Sequence, residues 1–153
     1  MKNVHEKYMS LAIKEAKKAY LIDEVPVGCV IVLNNKVIAK GHNLREKTHD
    51  VTNHAEIVAI RKANKKLNDW QLVDADLYVT IEPCVMCMGA IIQSRIRHVY
   101  YGSEDYKGGG TGSSIDVRTA KNLNHQVEVT GGILKEECSQ LIKDYFKSKR
   151  ENK

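Results

Sequence analysis

Residues 77–101 read LYVTIEPCVMCMGAIIQSRIRHVYY. Leu77 to Ile81 is a short run of strand-forming residues, and Arg97 to Tyr101 is a second. Between them Pro83 ends the first run and opens a helix through Ile92, because its fixed φ suits an opening helical turn. A strand, helix, strand unit of this kind predicts a parallel pair joined by a right-handed crossover. The same stretch places Cys84 and Cys87 at i and i+3 of the helix start, where the positive end of the helix dipole favours thiolates. The pair is half of a tetrahedral metal site, although C-x-x-C beside a βαβ unit also describes a redox pair.

On the N-terminal side, Val4, Tyr8, Leu11, Ala12, Ala16 and Ala19 recur at spacings of three and four, so residues 3 to about 21 form an amphipathic helix. A hairpin follows: Val27 to Leu33 is apolar enough for burial on both faces, Asn34-Asn35-Lys36 supplies the turn, and Val37 to Lys40 returns toward Gly41-His42-Asn43. Asn53 with Glu56 three residues later forms a capping box for a second helix, whose stripe is Ala55, Ala59, Ala63 and Leu67. Beyond the central unit come a glycine-rich loop, SEDYKGGGTGSS at 103–114, a strand at Gln126 to Val129 and a helix from about Lys135 to Lys149. These elements predict an α/β protein of three layers, a mixed sheet of about five strands with helices on both faces.

The chain has 153 residues, 42% of them hydrophobic, enough for one domain spanning 1–153 with a core that needs no disulfide. No run approaches the roughly 18 apolar residues of a membrane span, and the N-terminus alternates charged with apolar residues, so we expect a cytoplasmic protein with no membrane partner. In a reducing compartment Cys29 and Cys138 read as buried apolar residues, while the close pair Cys84/Cys87 reads as chemistry. The formal charge of +5 and the gathering of Lys143, Lys147, Lys149, Arg150 and Lys153 around Tyr145 and Phe146 suit phosphates and a stacked base. A solvated last helix has the same composition.

His54 supplies a third ligand, because it too begins a helix that follows a strand, and adjacent parallel crossovers bring helix starts together. Three protein ligands leave one position for water, the mark of a catalytic site. On an ideal helix positions 54 and 56 lie about 200° apart, so the two side chains must straddle the helix start with that water between them. The imidazole holds the metal and Glu56, withheld from it, moves protons. H-x-E combined with P-C-x-x-C is the signature of the zinc nucleobase deaminases. Redox chemistry has no need of the first element.

The segments EVPVGCVIV, GHNLRE, NHAEIVAI, LYVTIEPCVMCMGAII, SRIRHVYYG, LNHQVEVTGGIL and KDYFKSKR together resemble the bacterial tRNA-specific adenosine deaminases, within the cytidine/deoxycytidylate deaminase superfamily, over nearly the whole chain. The resemblance implies a cytidine deaminase-like fold, one Zn2+ per subunit held by His54, Cys84 and Cys87, and Glu56 as the proton shuttle. It implies that Asn43 hydrogen-bonds the target nucleotide, that Asp105 lies near its ribose, and that Lys107, Tyr145, Phe146 and Arg150 meet a tRNA anticodon loop. The implied activity is hydrolytic deamination of the wobble adenosine to inosine by a homodimer. From their residues alone Asn43 and Asp105 would be turn and loop positions, and Glu82 belongs to packing and helix-start electrostatics. His5, His49, His98 and His125 have no partner at metal spacing and default to surface or structural roles. Met88 and Ser113-Ser114-Ile115-Asp116 depart from the family pattern and bear on the pocket rim and dimer contact, hence on substrate range more than on reaction type.

Two rivals remain at this stage. The same zinc chemistry serves deaminases of free guanine, cytosine or nucleosides, and an inert RNA-binding module could keep zinc for stability alone. Glu56 separates the second, since an inert module has no use for a carboxylate beside an open metal position.

Overall fold

The computed structural model describes residues 3–151; Lys153, counted above with the basic cluster, lies outside them. The elements are α1 (Val4–Leu21), β1 (Gly28–Leu33), β2 (Lys36–His42), α2 (Arg45–Thr48), α3 (Ala55–Leu67), β3 (Asp76–Ile81), α4 (Val85–Gln93), β4 (His98–Ser103), β5 (Glu128–Thr130) and α5 (Lys135–Glu151), with a 3-10 turn at Val117–Thr119. The five strands form one sheet in the order β2-β1-β3-β4-β5. β1 is antiparallel to both β2 and β3, whereas β3, β4 and β5 run parallel. The expected crossover pair is therefore present, with Asp76 opposite His98 and Ile81 opposite Ser103.

Alternation along β1 builds two cores. Cys29 and Ile31 point into a cluster with Ala55, Ala59, Ala63, Met88 and Ile91 of α3 and α4. Val30 and Val32 point the other way, onto Tyr8, Met9, Ala12 and Ile13 of α1, with Cys138 of α5 completing that layer. The strand is buried on both faces as its unbroken apolar run required. Met88, one of the two departures noted above, is fully buried in the first cluster and does not line the cavity rim where it was expected to act.

Several local expectations shift. The asparagine capping box exists, but at Asn3 and Glu6 of α1, where Asn3 Oδ1 accepts Glu6 N at 2.9 Å. At the second site the N-cap is His54 and no side chain caps it. Asn53 instead donates to Thr48 Oγ1 at 2.8 Å and accepts from Arg61. Cys84 is likewise the N-cap of α4, in extended backbone, and Pro83 stands one residue before it. The route from β4 to β5 contains no α-helix, only the glycine-rich loop and the 3-10 turn.

Direction explains where a site forms. With β1 reversed, β2, β3 and β4 all end at one edge, at His42, Ile81 and Ser103. The segments that leave those ends carry Asn43, His54 and Glu56, then Cys84, then Asp105. Ligands in α/β sheets bind outside the carboxyl ends of strands for this reason.

Candidate active site

His54, Cys84 and Cys87 present ligand atoms that all lie within 4.8 Å of one another. His54 Nδ1 is 3.6 Å from Cys84 Sγ and 3.5 Å from Cys87 Sγ. Their convergence does not come from adjacent parallel crossovers, because β1 lies between β2 and β3. It comes from two strands that point the same way across an antiparallel one, and from direct packing of α3 against α4. The helix-angle argument for His54 and Glu56 also changes: His54 has ψ of 159° and lies outside the helix, so its ring is aimed by extended backbone while Glu56 sits in the first turn.

The donor set is a good one for a soft cation. The Cys87 thiol donates to Cys84, and the His54 ring adds a second hydrogen bond; together they bring the Cys84 thiol down to about 4. The same sharing, with burial, pushes the Cys87 thiol far up. The bond to Cys84 raises His54. One imidazole and two sulfurs match the three-ligand catalytic zinc sites, and among the described residues this is the one such cluster.

Glu56 is buried, and burial pushes its carboxyl up to about 7. It lies within hydrogen-bonding reach of the Cys87 thiol but is not one of the three clustered ligands. A cavity of about 240 Å³ opens over this group. His54, Glu56 and Cys84 line its floor, Val25, Val27, Ala55 and Ile81 its apolar side, and Asn43, Arg45, Glu82 and Asp105 the rest. Its size suits one heterocycle better than a drug-sized ligand.

Asn43 is nearly buried, with Oδ1 accepting Arg45 N at 3.1 Å and Nδ2 donating to Val25 O at 3.3 Å. Asp105 Oδ1 accepts the amides of Lys107 and Gly108, each at 3.1 Å. Both residues that composition alone would leave in turns thus face the cavity. Lys107 and Arg150 are exposed and belong to the walls of neither the cavity nor the groove beside it.

That groove, about 500 Å³, adjoins the cavity through Val25 and Arg45, which line both. Lys47, Tyr145, Phe146 and Lys149 line it together with Asp23 and Glu46, and Lys149 Nζ pairs with Asp23 Oδ2 at 2.6 Å. Tyr145 is held there by packing: it is 7% exposed, its hydroxyl donates to Asp23 O at 3.2 Å, and its ring meets Tyr20 edge-on. Phe146, 44% exposed, is the aromatic surface the groove offers.

Two contributors, Arg45 and Glu24, escaped sequence reasoning, and a third, Glu82, reads in the sequence only as packing and helix-start electrostatics. Arg45 sits in GHNLRE, two residues after Asn43, and that proximity was the available signal. Glu24 is fully buried and accepts Glu46 N and Lys47 N at 3.0 and 2.8 Å, fastening α2 at the cavity rim. Glu82 is buried, as packing required, and its carboxylate bonds the glycine-rich loop. Of the histidines left unassigned, His5 bonds Tyr78 Oη at 2.8 Å, His98 bonds Thr130 Oγ1 at 2.8 Å and His125 donates to Ile96 O at 2.6 Å, while His49 is exposed at the surface.

The MafB19-like deaminase family matches residues 3–150. The tRNA-specific adenosine deaminase of Bacillus subtilis (strain 168) is 46% identical over 148 residues, 97% of this chain and 92% of that protein. A solved structure from a study of A-to-I editing by tRNA:A34 deaminases at the wobble position of transfer RNA superposes with a TM-score of 0.86 at 43% identity. The match covers 88% of this chain and 98% of that one. A guanine deaminase from Nitrosomonas europaea shares the fold, with a TM-score of 0.76 at 22% identity over 92% of this chain and 83% of its own.

Proposed function

The chain belongs to the tRNA-specific adenosine deaminases, and from that premise we propose that it hydrolyses adenosine to inosine at the wobble position of a tRNA anticodon, as a cytoplasmic homodimer with one zinc ion per subunit. The observation that carries the reading is the convergence of His54, Cys84 and Cys87 beside a buried carboxylate that stays outside the trio, at the floor of a base-sized cavity.

Zinc held by His54, Cys84 and Cys87 supplies, when bound, Lewis-acid activation of water at neutral pH. Glu56 takes a proton from the attacking water and delivers it to the purine ring nitrogen, then takes the remaining proton from the hydroxyl now on C6 and gives it to the departing amino group. Water adds at C6 and ammonia leaves, so adenosine and water become inosine and ammonia. Val25, Val27 and Ile81 shield the flipped base from bulk solvent, Asn43 hydrogen-bonds the nucleotide and Asp105 faces the ribose. An unpaired anticodon base is splayed out at low cost, which makes a loop the natural substrate.

The neighbouring groove gives the flanking nucleotides a path. Arg45 stands at the junction, Lys47 and Phe146 lie along the wall, and Lys107 and Arg150 add phosphate attraction from outside it. Dimerisation is supported by α4, VMCMGAIIQ, which carries no charged residue yet leaves Val85 48% exposed and Met86, Gly89 and Ala90 partly so.

The test is to incubate the protein with a synthetic anticodon stem-loop bearing a wobble adenosine, alongside free adenosine, cytidine and guanine, and to measure inosine and ammonia. Product is expected from the stem-loop. Comparable turnover of the free compounds would overturn the RNA assignment.

A further inference from the structure

Glu82 stands between β3 and Pro83, two residues before Cys84, and is 3% exposed. Its two oxygens are turned wholly toward one segment. Oε1 accepts the amide of Asp105 at 3.1 Å; Oε2 accepts the amide and hydroxyl of Thr111 at 3.0 and 2.7 Å and the amide of Ser113 at 3.3 Å. One carboxylate thereby grips the glycine-rich loop at both ends. The backbone reinforces the contact, with Gly110 N donating to Pro83 O at 2.7 Å and an antiparallel bridge between Cys84 and Gly109. Gly109 has room for no side chain: a Cβ there would stand 2.5 Å from the carboxylate carbon and from both of its oxygens.

Four donors converge on this group and all four are N–H or O–H. An ionised carboxylate only accepts, so it satisfies them together, whereas the amide of a glutamine would turn an N–H2 toward some of them. A side chain so engaged is not free to shuttle protons to a substrate. What it controls is the position of Asp105, which lines the cavity and whose own amide is one of the four donors.

We infer that Glu82 is a positioning residue for the substrate: it locks the 105–113 loop onto the cysteine segment and so fixes Asp105 against the bound nucleotide. The inference rests on the reading of the cavity as an adenosine site. It makes the loop a substrate-gripping wall whose register is set by the residue next to the metal-ligand motif.

The experiment compares Glu82→Gln, Thr111→Val, Asp105→Asn and the double variant Glu82→Gln/Asp105→Asn with the parent, using the wobble-adenosine stem-loop. Glu82→Gln is expected to raise KM about tenfold while kcat changes by less than about threefold. Thr111→Val, which removes one donor and leaves the carboxylate, shifts KM the same way by less. Because Glu82 acts through Asp105, the double variant is expected to be no worse than the more impaired single one. Hydrogen exchange should quicken at the amides of Asp105, Thr111 and Ser113 in Glu82→Gln, with β3 still protected and zinc content unchanged. Additive losses in the double variant, an effect on kcat with KM constant, loss of zinc, or unaltered exchange at those amides would overturn the inference. If the parent protein proves inactive on the stem-loop, the functional reading fails, and the exchange measurement still decides whether Glu82 holds the loop.

Discussion

His54 and Glu56 are two residues apart, and the backbone between them separates their roles. Extended backbone at His54 aims its ring at the two sulfurs, while Glu56, one step inside α3, is buried against the same cavity without joining them. These positions were legible because their chemistry is local: an imidazole, two thiols at i and i+3 and a carboxylate offset by two announce themselves by type and spacing. Arg45 and Glu24 were not legible, nor was the loop that Glu82 grips, since a charged side chain in a sequence defaults to solvent and only tertiary contact shows what it bonds or which wall it lines. Arg45 gives the sharpest test of the groove. Its side chain is exposed, and its pairing with Glu46 at 3.4 Å is a surface contact that a phosphate could replace. Arg45→Ala should weaken binding of the stem-loop and make the slope of log affinity against log salt shallower by about 0.7 for each phosphate that Arg45 neutralises. An unchanged slope would remove Arg45 from the RNA path.

Among the elements, β1 carries the fold. Its apolar run foretold burial on both faces, and the βαβ signal of residues 77–101 foretold the parallel β3/β4 pair, so the sheet and its layers were readable from periodicity. The reversal of β1 between β2 and β3 was not, because strand order is set by packing between distant segments. Nor was α2, four residues long and held by Glu24 more than by any propensity of its own. The close fit of α1 on β1 can be probed at Gly28, where a Cβ would collide with the backbone of Ala12 and Ala16. Gly28→Ala should destabilise the protein by about 1–3 kcal/mol through overpacking. Ile31→Ala, from a fully buried position, should cost about 2–5 kcal/mol through the cavity it leaves. Thermal denaturation should show both as lowered Tm, by about 2–4 °C per kcal/mol in a chain of this size. A wild-type Tm in either variant would contradict the described packing.

In the molecule as a whole, every group assigned to chemistry gathers at the edge where β2, β3 and β4 end, and the charged and aromatic groove continues from it along α5. Lysines and arginines outnumber acidic residues by 24 to 19, a balance that favours a polyanion without naming one. What would join fold to function, on the proposed reading, is a division of labour in which His54, Cys84 and Cys87 hold the metal and Glu56 is kept for protons. Removal of the metal by a chelator should lower Tm as well as abolish turnover, because binding at this trio joins α3 to α4. The decisive measurement is zinc per chain in the parent, Glu56→Ala and Cys87→Ala proteins, read alongside inosine formation. One equivalent is expected in the parent, one in Glu56→Ala although its turnover is lost, and essentially none in Cys87→Ala. Zinc lost from Glu56→Ala to the extent seen in Cys87→Ala would contradict the account, placing Glu56 among the ligands and leaving the proton transfer without its carrier.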